Sequence, residues 1–366
     1  MGLDKKYFSE QIITYIGNKR SLLKPIEEII QKVCIELGKK KLIIADLFSG
    51  SGIVSRLLKQ YSSLIIANDL EEYARILSEC FLSNPEDFDE NIYNEYLKNI
   101  HNSMKQKPIK GIISSNYAPH DDTNIKIGER VFYTRENAEY IDGFRYYLDQ
   151  IVSKNYKKYF LALLITEASI HVNTSGVFKG FYKDKETGIG KFGGTAENAL
   201  ARIKGKIQIG LPVLSPVSSN YVVYKENTVD LSKNLPELDF VYLDPPYNQH
   251  PYGSNYFMLN IIAKNEMPNS ISSISGIPND WNRSNFNKKS SSLQELSKIV
   301  GNLKAKYILI SYNDEGFITF EEMLDMLKAF GSVEYQQIQY NTFRGSRNLN
   351  ARNLYTHEYL FLLRKE

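Results

Sequence analysis

The chain has 366 residues, 42% of them hydrophobic, which is ample for one large or two modest domains with a buried core. A net charge of +3 and a pI near 8.4 fall short of the strongly basic balance of many nucleic-acid binders, so any contact with a polyanion has to come from local patches. Cys34 and Cys80 are too few and too far apart for a disulfide framework or a zinc cluster, the five His form no His-Glu-x-x-His pattern, and the longest apolar run, Phe160 to Ile165, is too short to span a bilayer. With no apolar signal region at the N-terminus, a reduced, metal-free, cytoplasmic protein is expected.

In chain order, the first informative segment is Tyr15-Ile16-Gly17-Asn18-Lys19-Arg20-Ser21-Leu22-Leu23. Its Gly-Asn turn precedes Ser21, which is predicted to cap an amphipathic helix running to about Leu37. Backbone donors at such a helix start, with Lys19 beside them, suit a carboxylate, although a surface turn accounts for the same residues. Lys41 to Gln60 reads strand, glycine loop, helix: Leu42 to Ala45, then Asp46-Leu47-Phe48-Ser49-Gly50-Ser51-Gly52, then Ile53 to Gln60. Gly50 and Gly52 let the backbone come close to a ligand at the carboxyl end of a strand, where open α/β sheets bind cofactors. A second strand, Leu64 to Ala67, ends in Asn68-Asp69, an acid placed to hydrogen-bond a ribose diol. Ser55 stands where a dinucleotide fingerprint has its third glycine, and the Lys-Thr pair of a P-loop is absent. With no pyrophosphate to cradle, S-adenosylmethionine is the better ligand; a tight β-α turn with no ligand is the bland alternative.

Residues 84 to 130 are polar and broken by Pro85, Pro108 and Pro119, which predicts helices and loops. Phe132 and Tyr133 look like a short strand, with Thr134 capping a helix to about Val152. Tyr156 to Val172 reads as an apolar helix packed on a sheet, with His171 as a capping or packing residue. Asn173 to Lys183 and Gly188 to Gly194 then interleave lysine, aromatic residues and glycine. That mixture suits a surface that neutralises phosphates and presents rings to bases, and it suits a solvated glycine-rich loop equally well.

The most distinctive stretch is Asp239-Phe240-Val241-Tyr242-Leu243-Asp244-Pro245-Pro246-Tyr247. A buried strand runs into an acid, two prolines and an aromatic ring. Each proline biases the residue before it to an extended conformation, so the Asp244 carboxylate and the Pro245 carbonyl can point outward together. Two acceptors facing one aromatic amine would draw its nitrogen toward tetrahedral geometry and localise its lone pair for attack on an electrophilic methyl group. Tyr247 offers a face on which an extruded base can stack, worth roughly 1–3 kcal/mol. Tyr252, Asn255 and Tyr256 follow closely enough to wall a base pocket, while His250 is not required, because the amine proton becomes acidic once the methyl is attached. Residues 265 to 292, rich in Asn, Ser and Pro, look like a loop that orders on DNA. Tyr307 to Ser311 reads as a buried strand, Ile318 to Phe330 as a helix, and Val333 to Tyr340 with Tyr355 to Leu363 as a hairpin. The hairpin connection carries Arg344, Arg347 and Arg352, a phosphate-binding stripe.

Asp244-Pro245-Pro246-Tyr247 resembles the catalytic motif of the amino-group DNA methyltransferases that act on N6 of adenine. Phe48-Ser49-Gly50-Ser51-Gly52 resembles the cofactor loop of that family, and Tyr15 to Lys19 its N-terminal cofactor motif, with Tyr15 where other members have Trp. The resemblance implies a class I methyltransferase fold: α/β, Rossmann-like, with a mostly parallel sheet, a C-terminal antiparallel hairpin and an inserted target-recognition region. It implies S-adenosylmethionine held by Tyr15, Lys19, Asp46, Phe48, Ser49, Gly50, Ser51, Gly52 and Asp69. Catalysis falls to Asp244, Pro245, Pro246 and Tyr247. Because the cofactor loop precedes the catalytic motif, the order called alpha, target recognition is expected between them. The segmentation that follows is residues 1–155 and 225–366 for catalysis and 156–224 for recognition. DNA contacts are expected from Asn173, Phe178, Lys179, Tyr182, Lys183, Lys191, Tyr252, Asn255, Tyr256 and the three hairpin arginines. Double-stranded DNA is the implied partner, with a restriction endonuclease for the same site as a companion. The same tetrapeptide occurs in some RNA methyltransferases, so RNA remains a rival substrate; a silent DNA-binding module is the other rival.

Overall fold

The buried apolar runs become strands of one sheet in a computed structural model that describes residues 7–8, 12–194, 199–341 and 355–366. Its seven strands are β1 (Leu42–Asp46), β2 (Ser62–Asn68), β3 (Asn220–Tyr224), β4 (Leu238–Leu243), β5 (Ala305–Asn313), β6 (Gly331–Asn341) and β7 (Tyr355–Lys365). They lie in the order β3-β2-β1-β4-β5-β7-β6. β1 to β5 are mutually parallel, and β7 runs antiparallel to both β5 and β6. The chain winds outward in one direction from β1 and in the other from β4. The loops leaving their carboxyl ends therefore part and open a crevice at the switch point. β4 is buried at all six positions, as a central parallel strand covered on both faces must be. Asp46 pairs with Tyr242, and the Leu47 N–H donates to the Tyr242 carbonyl at 3.2 Å, so the glycine loop and the Asp-Pro-Pro-Tyr turn leave the sheet side by side.

One face of the sheet packs on helices Leu23–Glu36 and Ile53–Lys59 through Ile26, Ile30, Val33, Leu57 and Leu58. The other packs on Ser292–Asn302 and Phe320–Lys328 through Leu296, Ile299, Val300, Met323 and Leu327. A further core joins helices Glu72–Phe81, Glu90–Gln106, Arg135–Ile151, Lys154–Ile170 and Phe257–Lys264. The apolar helix expected against the sheet, Lys154–Ile170, packs mainly on three of those helices, Glu72–Phe81, Arg135–Ile151 and Phe257–Lys264. Being enclosed by helices explains why it is apolar nearly all round.

Three local expectations change. Ser21 does not cap the first helix: a short turn, Arg20–Leu22, precedes it, and Asn18 instead accepts the Arg20 N–H at 2.9 Å. Thr134 caps Arg135–Ile151 by accepting the Asn137 N–H, but Phe132 and Tyr133 form no strand, because both N–H groups donate to the Tyr117 carbonyl. β3 lies inside the segment assigned to target recognition, yet it is an edge strand of the sheet. Its half-exposed residues hid it from an apolar-run reading.

Candidate active site

Asp46 ends β1 and is fully buried; its Oδ2 accepts the Ser55 hydroxyl at 2.5 Å, while Oδ1 has no partner among the described residues. Burial pushes this carboxyl up to about 7, against the pull of Ser55 and with help from the charge on Asp244. The loop then turns on Gly50 and Gly52, both in the left-handed region at φ +50° and +76°. The Gly50 N–H donates to Asp69 Oδ2 at 2.8 Å, and Asp69 Oδ1 accepts the Glu71 N–H at 2.9 Å. A carboxylate has about four acceptor sites, so these two bonds fix Asp69 and leave room for two hydroxyl donors. Asn68, wholly buried beside it, donates to the Leu47 and Glu226 carbonyls and so ties the loops after β1, β2 and β3 together.

Tyr15 lies against this loop. Its ring packs on both Tyr252 (centroids 5.0 Å apart) and Tyr256 (4.9 Å), which are themselves 6.1 Å apart, and its hydroxyl meets that of Tyr73 at 3.2 Å. The Lys19 ammonium, 4% exposed as a residue, sits 3.0 Å from Asp244 Oδ1 and 3.0 Å from Glu358 Oε1. Burial opposes that charge, but the two carboxylates more than offset it and hold Lys19 well above the usual lysine range. One cation shared by two acids leaves a net negative charge in a dry place. Burial accordingly pushes Asp244 up to about 7; Lys19 pulls it down and Glu358 adds to the rise. Asp244 Oδ2 and the Pro245 carbonyl have no hydrogen-bond partner among the described residues.

Asp244, Gly50 and Asp69 line a single cleft of about 790 Å³, part of it open to solvent. Phe48, Val229, Phe286 and Tyr252 give it apolar walls, and Glu71, Glu226, Asn227 and Asn282 give it polar ones. Beside it a smaller recess is lined by Tyr15, Lys19, Asp46, Ser49, Gly50, Ser51 and Asp244. A ring, a diol and an amino-acid tail linked in a row match that succession. The unpartnered Asp46 oxygen suits an ammonium, Asp69 a diol, and the Phe48 and Phe286 side a flat base, so the residues present fit S-adenosylmethionine. The loop before Ser292 was expected to serve DNA, yet it supplies the cleft with Asn282, Ser284, Asn285, Phe286 and Asn287. Asn282 donates to the Leu70 carbonyl and to Glu71, whose buried carboxyl is pushed up to about 7. These residues, with Glu226, Asn227 and Glu358, escaped the sequence reading because no local motif marks them.

The expected DNA contacts divide. Asn173 is fully buried; its amide donates to the Val131 and Lys191 carbonyls and its oxygen accepts the Gly193 N–H. It shapes the glycine-rich loop and has no donor left for a phosphate, which corrects the expectation. Phe178 is likewise corrected: it is buried against Tyr256. Tyr256 and Asn255 are buried as well, the former accepting the Ile16 N–H at 2.8 Å, so both shape the wall from behind. Tyr252 lines the cleft and donates to the Ile16 carbonyl. Lys179 and Lys183 are exposed, Tyr182 and Lys191 half-buried, and Tyr247 is half-buried with its ring edge-on to Tyr312. His250 is exposed. Arg344, Arg347 and Arg352 lie outside the described residues.

The model of the D12 class N6 adenine-specific DNA methyltransferases matches residues 15–326 of this chain. The chain is 28% identical over 362 residues to the type II methyltransferase M.NlaIII of Neisseria lactamica, across 96% of this chain and 99% of that protein. It is 29% identical over 362 residues to the type II methyltransferase M.CviAII of Paramecium bursaria Chlorella virus 1, across 96% and 98%. Among solved structures it is similar to SMU.1697c of Streptococcus mutans in complex with SAH, at 10% identity and a TM-score of 0.31, across 93% and 97%.

Proposed function

The chain belongs to the D12 class N6 adenine-specific DNA methyltransferase family, and from that premise we propose how its residues divide the work. The enzyme is a site-specific DNA methyltransferase that moves the methyl group of S-adenosylmethionine to the N6 amine of adenine. The observation that carries the residue roles is the shared cleft: Asp244 lines the same space as Gly50 and Asp69. Asp244 Oδ2 and the Pro245 carbonyl accept the two amine hydrogens, and Pro246 stiffens the turn that presents them. Tyr247 and Tyr252 flank the ring. Positive charge developing on the nitrogen is met by acceptors already in place, so little reorganisation is needed at the moment of transfer. A paired adenine cannot reach this cleft, so the base is extruded from the duplex at a cost of a few kcal/mol.

Asp69 holds the ribose, Asp46 and the Tyr15 to Lys19 segment the amino-acid end, and Phe48 with Phe286 the adenine of the cofactor. Lys179, Tyr182, Lys183 and Lys191 present the phosphate-facing surface. The relatives' type II names support a companion endonuclease cutting the same unmodified site. No helix among the described residues is long and apolar enough to cross a membrane, and a cytoplasmic enzyme meeting bacterial or phage DNA is the setting we assign. Radiolabel transfer to duplex DNA, followed by sequencing of the modified bases, tests the assignment. N6-methyladenine confined to one sequence context is the expected result, and transfer to RNA but not DNA would overturn it.

The electrostatics give a pH prediction. Asp244 must be ionised to accept from the amine, and its carboxyl is pushed up to about 7. Below that value the proton occupies the acceptor, so kcat for DNA should fall about tenfold per pH unit on the acid side and level off above it. A flat profile between pH 5.5 and 8 would contradict the role given to Asp244.

A further inference from the structure

Glu358 lies on β7, outside the matched range of residues 15–326, and no motif draws attention to it. Its environment is nevertheless highly specified. The residue is 2% exposed; Oε1 accepts the Ser311 hydroxyl at 2.6 Å and stands 3.0 Å from Lys19 Nζ, and Oε2 accepts the Asn313 amide at 3.2 Å. Ser311 and Asn313 belong to β5, where they pair with Leu360 and Glu358 across the β5-β7 ladder. Glu358 is thus fixed by the sheet, whereas Lys19 arrives on a short turn near the N-terminus and Asp244 on the loop after β4. Among the described residues, the lysine head links that rigid strand to the catalytic turn.

A buried carboxylate is costly unless paired and fully hydrogen-bonded, and an apolar residue would stabilise this position at least as well. Its place inside the sheet, aimed at the Lys19 ammonium beside Asp244, calls for a use. We propose that Glu358 is a positioning residue for methyl transfer: it holds the Lys19 ammonium on Asp244 Oδ1 and takes part of its charge, leaving Oδ2 free and electron-rich for the adenine amine. Without Glu358, Lys19 would swing wholly onto Asp244 and compete with the amine for both oxygens. Without Lys19, two buried carboxylates would repel and one would take up a proton. The antiparallel end of the sheet thereby bears on chemistry that takes place after β4.

This inference rests on the catalytic reading of Asp244, and the test separates the two. In the full-length enzyme, Glu358→Gln keeps shape and removes the charge. The groups facing Asp244 are Lys19, Glu358 and Asp46, with the Tyr242 and Tyr252 hydroxyls. Of these only Glu358 changes, so the acid limb of kcat should move about one unit to lower pH, the scale of one neighbouring charge. The plateau kcat should fall roughly tenfold to a hundredfold, the scale of a misplaced catalytic group, with KM for S-adenosylmethionine held. Lys19→Met should move the same limb the other way, and Glu358→Asp should recover part of the plateau. A merely structural glutamate would leave the limb in place. A Glu358→Gln enzyme with an unmoved limb and unchanged plateau overturns the proposal, whereas turnover by Asp244→Asn overturns the catalytic reading beneath it. Should Glu358→Gln fail to fold, Ser311→Ala loosens the glutamate with every charge retained. Several-fold loss of kcat at constant KM is then expected, and wild-type kcat would overturn the proposal.

Discussion

Asp244→Ala should reduce methylation of DNA by about a thousandfold or more while leaving S-adenosylmethionine binding within a few-fold of wild type. The size of the loss follows from what the carboxylate contributes. It is one of two acceptors for the amine, and it stands in a largely desolvated corner, its side chain 19% exposed, where hydrogen bonds and charges are worth more than in water. The fold should survive, for a reason visible in the site. Removing one member of a buried ion pair is usually severe because it orphans the other charge. Here Lys19 keeps Glu358 at 3.0 Å, so its ammonium stays paired. The asparagine variant should behave alike in activity, and its melting temperature should not drop, since a desolvated carboxyl has been exchanged for a neutral amide. Single-turnover transfer with radiolabelled cofactor, alongside calorimetric cofactor binding, checks both halves. Transfer within tenfold of wild type would remove Asp244 from the mechanism.

The contrast between Asp244 and Glu358 shows what a single sequence makes legible. Asp244, Gly50 and Asp69 could be found because each stands at the end of a buried strand in a short pattern whose chemistry is local, and the parallel sheet then gathers such ends on one side. The sheet itself was readable from its apolar runs, except β3, whose edge position leaves half its residues exposed. Glu358 sits within an alternating strand where it looks like any terminal hairpin residue; its meaning comes from Lys19, which lies more than three hundred residues earlier. Asn282 and Phe286 were hidden in the same way, since a polar loop carries no mark of the cleft it folds over. Asn173 and Phe178 erred in the opposite direction. Residue types suited to DNA contact were counted as surface, and the fold used them to pin a glycine-rich loop from within.

Gly50→Ala should weaken S-adenosylmethionine binding by about a hundredfold or more, and Gly52→Ala by about tenfold, although the two glycines look equivalent in sequence. Both lie in the left-handed region, where a side chain costs roughly 1–2 kcal/mol. That alone accounts for the smaller effect, because a Cβ on Gly52 would meet nothing nearer than the Ser78 hydroxyl at 3.8 Å. A Cβ on Gly50 would stand 2.8 Å from Cε1 of Tyr15, closer than real contacts allow. Tyr15 has little room to retreat, because its ring packs on both Tyr252 and Tyr256, with planes within 18° and 21°, and its hydroxyl meets that of Tyr73. The loop must move instead, and the Gly50 N–H that fixes Asp69 Oδ2 at 2.8 Å moves with it. The binding-competent arrangement becomes a minor state, and apparent affinity falls in proportion to its population. Titration calorimetry on the two variants measures the difference directly. Equal affinities would mean that Tyr15 does not close on the glycine loop in solution, and that the packing of three tyrosine rings is not what shapes the cofactor site.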